Sequence, residues 1–378
     1  MFRLRHLRDD ERGMSLVFVA VGFMAFLSAT TLAIDVGMFM TARSQAQNSA
    51  DAGALAGAVA LVKNSYTDRS ASGPVVQSAI KGATANNVIH GAPTVTPDDV
   101  TFPVAPSGLS NRVQVIVHRP SLGTIFGQFF GVPTVNIDAL AVAEASPANV
   151  MTCVKPFMIP DKWIEKQTGP WDPEDEYNKY DKKDMLPNPD IFIGGTGKDR
   201  TGYSYTNDIG RELTLRAGSG DNVFSSMYFS WKMPGDTGGD FYRENIANCN
   251  QSRITRGMKI IQEPGNMMGP TIQGIQDLIA KDPDAYWDTG CNCVKGSRYT
   301  GQSPRLFPIP LYDPEFTADN KANGRSGDYV VANFLGFFVT SVQGNGIKGR
   351  VANITGLVDN SFEMAPEDSL TWAVRLVQ

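Results

Sequence analysis

Four cysteines carry the most reactive side chains of this chain, and Cys153, Cys249, Cys291 and Cys293 all lie beyond residue 150. In an oxidising compartment they could close two disulfides, for which three pairings exist. Cys291 and Cys293 are separated only by Asn292, too close for an easy bridge between them, so the expected pairings send these two to Cys153 and Cys249. Zinc is the weaker reading, because the chain has no C-x-x-C step and His6, His90 and His118 are unclustered.

Other chemistry-bearing patterns fail on spacing. Gly194-Gly195-Thr196-Gly197-Lys198 has the composition of a phosphate loop, but Asp199 replaces the required hydroxyl residue and the glycines are misplaced. Gly202-Tyr203-Ser204-Tyr205-Thr206 lacks the second glycine of a nucleophile elbow, and no histidine follows His118 to act as its base. The acidic run Trp171 to Tyr177 and the loops Asp236 to Asp240 and Asp313 to Asp328 could hold calcium, yet none has the EF-hand order of ligands, and solvated loops are the simpler reading. Trp163, Trp171, Trp231, Trp287 and Trp372 are scattered as core residues are, rather than grouped as a glycan platform. The sequence thus predicts no catalytic, cofactor or metal site, and leaves calcium or glycan at the C-terminal region without support.

The elements that carry these residues begin with a membrane-span pattern. Met14 to Ile34 contains no charge over 21 residues, enough at about 1.5 Å per residue to cross a hydrocarbon core of roughly 30 Å. The head before it holds Arg3, Arg5, Arg8 and Arg12, whereas the first thirty residues after it offer only Arg43 and Lys63. This asymmetry places the N-terminus in the cytoplasm and the bulk of the chain outside. A cleaved signal peptide ending at Thr31-Leu32-Ala33 is the competing reading. The length of the apolar run, and its direct passage into an alanine-rich helix, favour an uncleaved anchor.

In that helix Ala42, Ala46, Ala50, Ala54 and Ala58 recur every four residues and form one bald row, widened by Gly53 and Gly57. Such a row permits close approach of another backbone, although alanine also recurs simply because it forms helices well. Gln47, Asn48 and Asp51 cluster on the other side, where water or a polar partner could satisfy them.

The run Ala33 to Ala58, after Glu11-Arg12-Gly13, resembles the N-terminal module of TadE/TadG-like Flp pilus-assembly proteins. The matching residues are Asp35-Val36-Gly37, Arg43, Gln47-Asn48 and Asp51, followed by the alanines. Class IV pilins and TadE-type members carry glutamate five residues after the processing glycine. Phe18 stands there in this chain, so the resemblance implies a TadG-like uncleaved anchor rather than cleavage after Gly13. Full-length relatives often carry a von Willebrand A module, but the chain shows no Asp-x-Ser-x-Ser metal motif, and that module's adhesive site is not carried over.

Downstream, a polar turn over residues 64–73 precedes a helix at Val75 to Val88, strands at Val100 to Val104 and Arg112 to His118, a short apolar helix at Leu122 to Phe130, and a strand at Thr134 to Glu144. After Pro147 the composition turns to glycine, proline, aromatics and short strand-like runs, with one helix ending at Lys281. The expected fold is α+β: a transmembrane helix continuing into an alanine-rich helix packed on a small α/β sheet module, then a mainly antiparallel β domain with long loops. The expected segments are head 1–13, span 14–34, module 35–147 and exported domain 148–378. A net charge of -5 without any basic stripe argues against nucleic acid.

The resemblance implies a structural, non-enzymatic component of a Flp (type IVc) pilus apparatus, single-pass in the inner membrane. Its partners would be pilus-assembly or secretion proteins, with lipid around residues 14–34. The alternative is a membrane-anchored periplasmic enzyme or carbohydrate-binding protein with its site in the β domain.

Overall fold

The computed structural model describes residues 11–63, 68–106, 110–181, 184–197, 199–218, 222–299, 302–320 and 328–377. Helix α1 spans Glu11–Lys63 without interruption, as a stretch free of proline allows. Inside its apolar half the Thr30 hydroxyl donates to the carbonyls of Phe26 (3.1 Å) and Leu27 (2.9 Å), and that of Thr31 to Ser28 (2.9 Å). These polar groups are therefore satisfied within the helix, as a lipid environment demands.

The chain forms two compact units: Met1–Glu144 with Arg375–Gln378, and Ala145–Val374. In the first, α1 is joined by helix α2, Pro74–Ala83, which starts with proline in its first turn and ends where the Thr84 hydroxyl returns to Ile80 O at 2.8 Å. The helix expected to reach Val88 therefore stops five residues early. Strands β1 (Val100–Thr101), β2 (Arg112–Gly123) and β3 (Thr134–Pro147) follow in spatial order β1-β2-β3, all antiparallel. Val113, Val115 and Val117 alternate on the buried face of β2, opposite Ala143, Ala141 and Ala139 of β3. The helix expected over Leu122 to Phe130 is different: β2 continues to Gly123, and only a short 3-10 turn, Gly127–Phe130, remains before a glycine in the left-handed region (Gly131, φ 81°). At the other end of β2, Glu144 bonds Arg112 (2.7 Å) and Arg375 (3.3 Å), while the Val377 amide donates to Val142 O.

The second unit is β-rich, and its strands close into a ring. The order runs Asp328–Gln343, Leu306–Tyr312, Phe157–Pro160, Met227–Ser230, Glu212–Ala217 and Gly346–Ala352, and the last pairs again with the first. Two of these pairings, Leu306–Tyr312 with Phe157–Pro160 and Glu212–Ala217 with Met227–Ser230, are parallel, so the domain is more mixed than the antiparallel expectation. The closing seam passes Gly336 and Gly349, where an added Cβ would collide with Ala352 O and the Phe337 ring respectively. Glycine permits the close backbone approach that closure requires. Phe334 to Val339 are buried at every position, which marks a strand covered on both faces. Helices Gly239–Ala247 and Met268–Lys281 pack together through Gly274, whose Cβ position lies 2.7 Å from Ile246 Cβ, and add Ile246, Ile275 and Leu278 to the core.

Candidate interaction site

Asp35 is buried although it follows the apolar run directly. Its carboxylate accepts the backbone N–H groups of Ile125 (2.9 Å), Phe126 (3.0 Å) and Gly127 (2.6 Å). Three convergent N–H donors offset the cost of burying one negative charge. The acid thereby ties the end of the span to the turn between β2 and β3.

Further along α1, Ala42, Ala46, Ala50, Ala54 and Ala58 are all fully buried. The contact is shared between α2 and the sheet. At Gly53 a Cβ would lie 2.7 Å from Ala83 Cβ and 3.0 Å from Ala79 O, and at Gly57 it would lie 2.8 Å from Val113 Cγ1 of β2. Gly82 of α2 reciprocates, its Cβ position 2.8 Å from Ala56 Cβ. The sequence reading expected this helix to pack on a small α/β sheet module. The second helix takes part of that face because small residues on both helices let them approach this closely.

The motif residues divide by where their side chains go. Gln47 Nε2 donates to Asp51 Oδ1 (2.9 Å) and to Leu140 O of β3 (3.0 Å), so the polar partner on that side is the sheet's own backbone. Gly37, Arg43 and Asn48 are exposed, and Gly37 has nothing within 4 Å of its Cβ position. Gln45, off the alanine row, accepts the Ile89 N–H at 2.8 Å and supports a residue with φ 42°. The structure also pairs His118, in the middle of β2, with Asp138 (2.7 Å) and Asp99 (3.1 Å), and these carboxylates raise its pKa above 6.5.

In the second unit Cys153 is bonded to Cys249 and Cys291 to Cys293. This corrects the expected crossed pairing. Asn292 occupies the left-handed region (φ 48°) at the turn of the hairpin Tyr286–Asp288 and Cys293–Lys295, which reverses the chain sharply enough for neighbours separated by one residue to meet. Cys153 lies beside Cys249 by a backbone bond from its own N–H to Asn250 O at 2.8 Å.

The remaining sequence candidates serve the fold. Ser204 opens the turn Tyr205–Asp208, its N–H on Asp208 Oδ2. Gly195 O accepts from Arg256, and Lys198 lies outside the described residues. Asp175 accepts the Asp172 N–H, Glu174 pairs with Arg216, Asp236 bonds the Thr237 N–H, and Asp313 caps a helix, Pro314–Asn320, that the sequence reading missed. Trp163 packs edge-on against Trp171 and Tyr177. Among the described residues, no group of three or more His, Cys, Asp or Glu side chains could hold a metal ion. Asp190 and Lys155 are among the buried groups that the sequence reading did not single out. Burial, reinforced by the adjoining Glu165 carboxylate, pushes Asp190 up to about 6, and burial pushes Lys155, whose ammonium donates to Asn248 O, down to about 7. Nothing in their spacing along the chain signals either.

The helix that positions Asp35 and the alanine row is also the part of the chain with recognisable relatives. Residues 13–60 match the family described as Putative Flp pilus-assembly TadE/G-like. The N-terminal helix carries a TadE/G-like segment. That segment begins two residues into α1 and ends just short of Lys63, so it holds the apolar run, Asp35 and the whole alanine row. Comparison with curated proteins and with solved structures finds no match for the chain. The TadE/G-like helix is also long and apolar enough to cross a membrane, and the residues of its apolar window are unburied by the rest of the chain.

Proposed function

We propose that this protein is a single-pass, membrane-anchored structural component of a Flp-type pilus-assembly apparatus, TadG-like in keeping its anchor, with residues 148–378 displayed outside the inner membrane. The observation that carries the reading is the division of labour along α1. Its first part, Met14 to Ile34, presents apolar side chains that its own unit leaves exposed, and its second part is buried under that unit through the alanine row. Gly37, Arg43 and Asn48, motif residues that the unit does not bury, form the surface offered to assembly partners. The two disulfides suit an oxidising compartment beyond the membrane. The role is structural.

Two experiments test this reading. A pull-down of the tagged full chain from detergent-solubilised membranes should recover pilus-assembly proteins, and an Arg43→Glu, Asn48→Leu double variant should recover far less while remaining membrane-bound. A reporter fused after Gln378 should be active only in its exported form; activity confined to the cytoplasmic form would overturn the topology.

A further inference from the structure

We propose that the turn between β2 and β3 is a second membrane contact, inserting Phe129 and Phe130 into the lipid interface beside the point where α1 leaves the bilayer. The inference rests on the reading of Met14 to Ile34 as the membrane span. Its own observations concern position, composition and exposure.

Position follows from two fixed points. Asp35, the residue after the span, holds the amides of Ile125, Phe126 and Gly127. Gly57, at the other end of the buried helix, contacts Val113. Between Asp35 and Gly57 the helix rises about 33 Å, and between Val113 and Gly123 an extended strand also covers about 33 Å. Equal lengths between the two contacts mean that β2 runs alongside α1, with its turn at the level of Asp35.

Composition and exposure then select the occupant. No charged residue occurs between Arg119 and Asp138, the stretch that holds the turn between β2 and β3. Phe129 is 78% exposed, Phe130 70%, and Ile125 and Val132 each 49%. Two adjacent phenylalanines in water, flanked by two more large apolar residues, form the kind of patch that marks an interaction surface. The patch continues the exposed apolar surface of the span, where Leu32 and Ile34 are also uncovered. Aromatic side chains favour this boundary, and an apolar surface lying on a membrane sinks about 5–10 Å into it. The bonds from three amides leave Asp35 with no need of water at that depth, so the anchor and the turn can enter the interface together.

The test uses the full-length protein in nanodiscs of phosphatidylethanolamine and phosphatidylglycerol. Since the four native cysteines are bonded, single added thiols at Phe130→Cys, Phe129→Cys, Leu27→Cys and Val59→Cys can be labelled with NBD. These labels are then read with and without spin-labelled lipid. Labels at Phe129, Phe130 and Leu27 should emit blue-shifted and be quenched several-fold, while the one at Val59, about 36 Å along the helix from Asp35, should not respond. Quenching at Leu27 with water-like, unquenched emission at Phe129 and Phe130 would overturn the inference and leave the anchor standing. Blue-shifted but unquenched labels at the turn would overturn it in favour of a covering protein surface. Loss of quenching at Leu27 as well would remove the anchor reading itself.

Discussion

Asp35 carries more than its position in a motif implies, because its carboxylate joins residues about ninety positions apart in the chain through three amide bonds. Removing it leaves those N–H groups without their charged acceptor. Asp35→Ala should therefore destabilise the first unit, and hydrogen exchange at Ile125 to Gly127 should quicken while that of the second unit is unaffected. Unchanged exchange at those amides would show that the carboxylate does not hold the turn. His118 makes a pH-dependent contribution of known sign. Its hydrogen bond to Asp138, with that to Asp99, raises its folded pKa above the unfolded value of 6.5. The stability it confers is complete below 6.5 and is lost as pH rises through the raised folded value. The melting temperature of the first unit should fall between about pH 5.5 and about pH 8.5 by more in the parent than in His118→Gln. Equal falls in both proteins would exclude the histidine.

At the scale of elements, the alanine row is a packing surface shared by a helix and a sheet. Its fully buried positions have no room for a longer side chain, since even a Cβ added at neighbouring Gly53 or Gly57 would lie within 3 Å of α2 or β2. Ala50→Leu or Ala54→Leu should each cost about 1–3 kcal/mol and lower the amount of protein in membranes. Ser44→Leu, on the exposed face, should shift stability by less than about 0.5 kcal/mol. Gln45 is unsuitable as that control, because its side chain holds the Ile89 amide. Equal abundance and unfolding midpoints for the alanine and serine variants would reduce the row to helix propensity.

For the molecule as a whole, the two disulfides differ greatly in what they constrain. Cys153 and Cys249 are 96 residues apart, whereas Cys291 and Cys293 are separated by 2. In the chain-entropy account a loop of the first length stabilises by about 4–5 kcal/mol, and a loop of one intervening residue removes little freedom from the unfolded chain. A paired Cys153→Ser, Cys249→Ser variant should therefore lower the unfolding midpoint of the second unit strongly, and a paired Cys291→Ser, Cys293→Ser variant should leave it nearly unchanged. The reverse order would mean that the hairpin, not the long loop, needs its staple. Alkylation of the native protein without reductant should find no free thiol.

The membrane-span pattern, the alanine row and the β-rich character of the second unit were legible in the residues themselves, because hydrophobic length, a repeat of four and short alternating runs are local properties. The family motif belonged with them. Other features depended on which distant backbones met. Asp35 bonds amides near residue 126, Gln47 bonds Leu140 O, and the strand ring closes at Gly336 and Gly349. None of these partners is encoded in the spacing around the residue that needs it. The disulfide pairing went the same way: the short C-x-C link looked unfavourable as an extended chain, and became possible once Asn292 adopted a left-handed turn. Sequence determined the local periodicities and the burial they require, whereas the folded structure decided which donors, acceptors and sulfurs came together, because those contacts depend on long-range chain closure or, for Cys291 and Cys293, on a left-handed turn that residue spacing does not reveal.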